Sequence, residues 1–174
     1  PLGDEPDADI AALHGASRRI PGRCSGSSQT ALGRRQHRAA ILPDGRVLTV
    51  GGWNDQELGV AFEEIWDPAT GTFSATGLLA EERVLHTATA LPDGRVLAVG
   101  GHNDYSTPVA AEIWDPATGT FGPTGPMATE RAIHTATPLP DGRVLVVGGF
   151  GEGPFGTIDH RPLASAEVWE EGDG

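Results

Sequence analysis

The sequence predicts an all-β repeat fold of three four-stranded units, and three recurrences predict it. The string LPDGRVL stands at Leu42–Leu48, Leu91–Leu97 and Leu139–Leu145. A glycine pair follows each copy, at Gly51–Gly52, Gly100–Gly101 and Gly148–Gly149. An acidic–aliphatic–tryptophan triplet comes next, at Glu64–Trp66, Glu112–Trp114 and Glu167–Trp169. Arg and His three apart open every unit: Arg34/His37, Arg83/His86 and Arg131/His134. Motifs that recur together, in register and at a period near 50 residues, are the signature of a stacked repeat architecture.

Each element follows from local pattern. Strand a is the alternating HTATAL at His86–Leu91, and strand b the continuous apolar run Val96–Val99. A run apolar at every position suits a strand covered on both faces. Strand c is Ala111–Trp114, and strand d a short piece around Thr120–Phe121. Pro-Asp-Gly joins a to b, because proline presets φ and glycine supplies a left-handed position. Asp-Pro-Ala-Thr-Gly joins c to d in the same way. Helical periodicity is absent. The units span 34–82, 83–130 and 131–174, and the third stops after Trp169 without its last strand. Residues 1–33 carry Pro, Gly, Ser and charge in no period. They read as a disordered leader, or near Thr30–Gly33 as a degenerate last strand of a preceding unit.

The diglycine after strand b, the downstream tryptophan and the period resemble the kelch repeat. The phrasing HTATALPDGRVLAVGG and AEIWDPATGTF is most like bacterial kelch repeats, as in the propeller of galactose-oxidase-like proteins. The resemblance covers about residues 34–170. It implies a kelch-type β-propeller in which each repeat is a four-stranded blade around a central channel. Three blades are too few to close a ring. The expectation is therefore a partial propeller, either a fragment of a six- or seven-bladed protein or half of a six-bladed ring completed by a second copy.

Meander geometry sorts the ends of a blade. The a–b and c–d turns share one end, where PDG recurs three times and DPATG twice; that end reads as structural. The b–c loops share the other and differ in every copy. Variable loops on a repeated scaffold are where recognition is usually placed. The first offers Trp53, Asn54 and Asp55, and the second His102, Asn103, Asp104 and Tyr105. The third, Phe150–Leu163, is the longest and offers Phe150, Phe155, Asp159, His160 and Arg161. Rings supply contact area and polar groups fix orientation, so these loops are candidates for binding a protein or carbohydrate. The competing reading is that Asn-Asp after Gly-Gly is turn chemistry and that the aromatics cap sheet ends. His37, His86 and His134 recur symmetrically and read as structural, partnered by the periodic Arg or Glu, rather than as metal ligands. The periodic tryptophans read as core between units.

Other function classes find little support. The chain carries 12 Arg and no Lys against 24 acids, a formal charge of −12. Nucleic-acid binding relies on neutralising phosphates, so this balance argues against it. Without lysine there is no Schiff-base chemistry. Cys24 is the only cysteine, which excludes an intramolecular disulfide and a zinc site of thiolates. No apolar run reaches the roughly 20 residues of a membrane span, and none resembles a signal peptide. Asp55, Asp104 and Asp159 lack the spacing of a calcium loop. The copper site of galactose-oxidase-like enzymes uses two tyrosines, one joined to a cysteine, and two histidines. Here Tyr105 is the only tyrosine and Cys24 lies outside the repeats, so the resemblance does not extend to that site. The expectation is a non-catalytic scaffold with no cofactor. Its alternative is a fragment of a larger sugar-acting or galactose-oxidase-like enzyme whose catalytic residues lie outside the chain.

Overall fold

The computed structural model describes residues 28–103, 111–154 and 157–172. Four strands form the first sheet, β1 (Arg38–Ile41), β2 (Val47–Val50), β3 (Phe62–Asp67) and β4 (Thr72–Leu78), in the order β1-β2-β3-β4. The second repeats it with β5 (Thr87–Ala90), β6 (Val96–Val99), β7 (Glu112–Asp115) and β8 (Thr120–Pro123). The third pairs β9 (Thr135–Pro138) with β10 (Val144–Val147) and β10 with β13 (Ala166–Trp169). All pairings are antiparallel. No α-helix occurs among the described residues.

The turns have the chemistry their residues dictate. In each PDG turn the leucine N–H donates to the carbonyl of the arginine four residues on, Leu42 to Arg46 at 2.8 Å in the first. Asp44 Oδ1 accepts from the Arg46 N–H at 3.0 Å, and Gly45 supplies φ +85°. In each DPATG turn the aspartate carbonyl accepts from the glycine, Asp67 from Gly71 at 2.7 Å and Asp115 from Gly119 at 2.8 Å.

The sheets stack face to face. The first strands lie side by side, β5 between β1 and β9. Alternation in β6 makes the stacking possible. Val96 and Ala98 pack with Ala40, Leu48, Val50 and Ile65 of the first sheet. Leu97 and Val99 pack the other way, with Val144, Val146 and Trp169. All four β6 side chains are buried, as a doubly covered strand requires. Trp114 is buried against the first sheet and Trp169 against the second. Their indole N–H groups donate to Thr76 and Thr124 of the neighbouring sheet, each at 3.2 Å. Trp66, on the face of the first sheet that no described sheet covers, is only half-buried.

One expectation needs correction. The segment Phe150–Leu163 is not a plain loop; it folds as a hairpin of β11 (Phe150–Glu152) and β12 (Ile158–Pro162) with a bulge between Phe150 and Glu152. The ends of its turn are drawn together by the Gly153 N–H donating to Thr157 C=O at 2.5 Å and by Thr157 Oγ1 donating to Pro154 C=O at 2.8 Å. Its glycines hid the alternation that a hairpin otherwise shows.

Diglycine serves the stacking. The Gly52 N–H donates to Arg83 C=O at 3.0 Å and the Gly101 N–H to Arg131 C=O at 2.9 Å, bonds that tie one sheet to the entry of the next. At Gly100, with φ +59°, an added Cβ would run into the Arg131 carbonyl and the His134 ring. Gly122 in β8 has open space around the same position. Gly100→Ala is expected to destabilise the chain by more than about 2 kcal/mol, chiefly through the clash with the Arg131 carbonyl and the His134 ring, with a left-handed φ adding to the cost. Gly122→Ala should change stability by about 0.5 kcal/mol or less. Urea unfolding followed by circular dichroism separates the two.

Candidate functional site

The end of the sheets opposite the PDG turns is built on the Arg-x-x-His segments and the residues after each diglycine. Trp53 exchanges two backbone bonds with Arg35, both 2.9 Å. His102 does the same with Val84 at 2.9 and 2.8 Å, and Phe150 with Ala132 at 2.9 Å. The first residue after every diglycine is therefore pinned to the entry of its own unit. This places Trp53, His102 and Phe150 at equivalent points, each half-buried.

Beyond that anchor the loops diverge. In the first, Asn54 Oδ1 accepts from the N–H groups of Gln56 at 2.9 Å and Leu58 at 3.0 Å, so Asn54 is the turn's organiser. Asp55 is exposed. A shallow groove of about 230 Å³ runs past Arg34, Arg35, Trp53, Asn54 and Asp55. In the second loop His102 and Asn103 are half-buried, whereas Asp104 and Tyr105 fall outside the described residues. In the third, Asp159 and Arg161 pair along β12 at 3.0 Å with Arg161 largely exposed, and His160 is exposed beside them. The guanidinium and its own N–H hold the Asp159 carboxyl below the usual carboxylate range. Phe155 lies outside the described residues. The three loops present different chemistry from one end: indole with carboxylate, imidazole with amide, and a carboxylate–guanidinium pair.

A larger hollow, about 560 Å³, sits at the opposite end between the PDG turns of the second and third sheets, over Trp169. Its cations are already engaged. Arg95 binds Glu171 through both terminal nitrogens at 2.6 Å and also Asp93, and Arg143 binds Asp141. Size alone therefore does not make it the better binding site.

Under the loops lies a row of buried polar residues. Arg34, Arg83 and Arg131 ion-pair with Glu64, Glu112 and Glu167, so the expected matching of these sets is between Arg and Glu. The histidines do not join these pairs. His134 Nε2 meets Thr87 Oγ1 of the preceding sheet at 2.9 Å, and burial, then the charge of Arg131, draws its pKa down to about 4. His86 is fully buried, and burial followed by the charge of Arg83 holds it well below the usual imidazole value. Among the described residues no three His, Cys, Asp or Glu side chains converge as metal ligands.

Sequence reasoning missed Glu63. The second and third units place Ala111 and Ala166 there, and the first places a carboxylate with no exposure. Both its oxygens accept from the Gly51 N–H at 2.9 Å, and Arg34 reaches it at 3.2 Å. Arg34 thus serves two buried carboxylates. Burial pushes Glu63 up to about 7 against the opposing pull of the Gly51 N–H and Arg34. Comparing the repeats position by position was the signal that exposes it.

Antiparallel sheets of four, four and three strands, stacked face to face, are consistent with a β-propeller-like arrangement. A solved structure described as that of YjhT is similar to it: TM-score 0.70 and 13% sequence identity, over 82% of this chain and 55% of that one. At that identity the likeness is one of fold, and the chain spans about half the length of this neighbour. No family model and no curated protein matches the sequence.

A raised folded pKa means that the folded state binds more protons than the unfolded state between the two values. Glu63 therefore costs stability as pH rises from about 4.5 to about 7, while the depressed His134 works in the opposite sense between about 4 and 6.5. Subtracting two proteins isolates the carboxyl. The stability advantage of Glu63→Gln over the parent is expected to grow across that window and level off above about pH 7, at a few kcal/mol in order of magnitude. Chemical denaturation at pH 4.5, 6 and 8 measures it.

Proposed function

We propose that this chain is part of a kelch-type β-propeller scaffold, with the repeats at 34–82, 83–130 and 131–174 as its blades. It binds a protein or carbohydrate partner through the variable b–c loops and makes no covalent chemistry of its own. The observation that carries this reading is the asymmetry of the two ends. One end repeats the same bonded turns from unit to unit, and the other fixes one residue per unit and then departs in sequence, length and exposed chemistry. Selection for folding alone gives no reason for one end to be uniform and the other not.

The outer faces support the partial-propeller part of the proposal. Ile41 is 68% exposed on the first sheet, and Val147 and Val168 are 41% and 45% exposed on the third. Val147 and Val168 stand where Val99 and Ile113 stand in the second unit, packed into the core against the third sheet. Further blades, or a second copy of the chain, are what such faces take.

Two measurements test the reading. Screening on glycan and peptide arrays identifies a ligand, whose affinity is then compared across variants. Trp53→Ala and Arg161→Ala should each weaken it about tenfold or more at unchanged melting temperature, and Asp44→Ala at the opposite end should leave it unchanged. Binding indifferent to both loop variants sinks the loop assignment. Light-scattering chromatography should give a mass above the single-chain 18.1 kDa, with Val147→Asp reducing it.

A further inference from the structure

Arginine is the chain's only strong cation, and the described arginines are almost all neutralised. Arg34, Arg35, Arg46, Arg83, Arg95, Arg131, Arg143 and Arg161 each hold a carboxylate. Among the described residues, Arg38 is the one arginine that does not. In a protein of formal charge −12 that exception calls for a cause.

Arg38 opens β1, the strand that neighbours β5 on the inner side of the stack. The corresponding residues of the other units are Thr87 and Thr135. Thr87 shows what the position does by default: its hydroxyl meets His134 of the next sheet at 2.9 Å. At the seam between the first and second sheets, a guanidinium replaces that hydroxyl opposite His86. Neither ring nitrogen of His86 has a hydrogen bond of good geometry, although the Val50 backbone lies close enough to favour its protonated form. The charge on Arg38 disfavours protonation of His37, His86 and His134, so it reaches all three rings. Its own hydrogen bond is one donation from a terminal nitrogen to the His37 carbonyl at 3.2 Å. The side chain is half-buried, neither solvated like a surface arginine nor paired like a buried one.

A guanidinium carries five N–H donors in a planar fork that matches carboxylate and phosphate oxygens. One donor is engaged here, and the neighbouring imidazoles lie within reach of its field. We propose that Arg38 is an anion-binding residue: the carboxylate or phosphate group of a small ligand docks against its fork at the inner edge of the first two sheets. The site lies at the end that carries the b–c loops but does not rest on the reading given to them.

Inorganic phosphate and acetate are the probes, followed on the full chain by proton–carbon correlation spectra of the histidine rings. Phosphate or acetate should shift the His86 and His134 resonances saturably in the parent. Arg38→Thr restores the residue that the other two units use, so it is expected to fold at least as stably. It should weaken binding by about tenfold or more, the loss of a charge-assisted contact. Arg38→Lys, which keeps the charge but not the fork, should fall between. Arg46→Thr, an exposed arginine of the PDG end, should bind as the parent does. The absence of saturation in the parent, or equal binding by Arg38→Thr, overturns the proposal. Equal weakening by Arg46→Thr overturns it too, because general screening by salt then explains the shifts. A response to phosphate alone or to acetate alone tells which oxyanion the fork takes.

Discussion

The structure depends on one contact made three times, buried in the first two units and partly buried in the third. In the second unit, Arg83 donates to the Gly100 carbonyl at 3.2 Å and pairs with Glu112, whose other oxygen accepts from the Ala80 N–H at 2.7 Å. Arg131, Gly148, Glu167 and Ala128 repeat it, and so do Arg34, Gly51, Glu64 and Ala31. Each clamp joins the entry of a unit, the end of its second strand and its third strand. A buried ion pair need not stabilise relative to an apolar core, but removing one partner strands a charge and costs about 3–5 kcal/mol. What the clamp adds is register, since planar guanidinium geometry admits one placement of the diglycine against the third strand. The next sheet reads that placement through the Gly52 and Gly101 bonds.

Once the clamp sets position, packing follows from period-two alternation. A strand buried on both faces must be apolar at every residue, and β6 is. A strand with one uncovered face can keep apolar residues on that face. In β10, Val144 and Val146 are buried, Leu145 is half-buried and Val147 is exposed. The sequence of β10 does not differ from a doubly covered strand; only its surroundings do. This is the behaviour of a repeat stack, in which each unit's stability is shared with its neighbours.

Much of this was legible in the chain because repetition multiplies weak signals. One PDG suggests a turn, whereas three followed at equal spacing by Gly-Gly give the strands, their order and the end of the sheet they occupy. In the second unit strand b was legible to the residue, and strands a, c and d to within one or two; in the first unit strand d runs on to Leu78, well past the short piece expected. The hairpin Phe150–Pro162 was not, because it occurs once and is diluted by glycine. The pairing of the histidines was not legible either. Sequence matches Arg, Glu and His in number, and only geometry shows that arginine takes the glutamate and leaves His134 to a threonine hydroxyl. In the candidate loops the positions were legible and the roles less so: Asn54 is spent on its own turn, whereas Asp55 is left facing solvent.

The same repetition gives a way to separate folding from function inside a single sequence. Where all three units agree, the residue answers a need common to every unit, as the clamp and the turns do. Where one unit departs and the departure is costly, the common need does not explain it. The first unit departs twice beneath the loop end: Glu63 for alanine and Arg38 for threonine. A buried carboxyl and an arginine without a carboxylate each oppose stability, and they do not offset one another, because Glu63 is taken up by Arg34 and the Gly51 N–H. The acidic surface elsewhere makes the second departure the more informative. Carboxylates are plentiful, every other described arginine has found one, and the position of Arg38 is the one from which they are withheld.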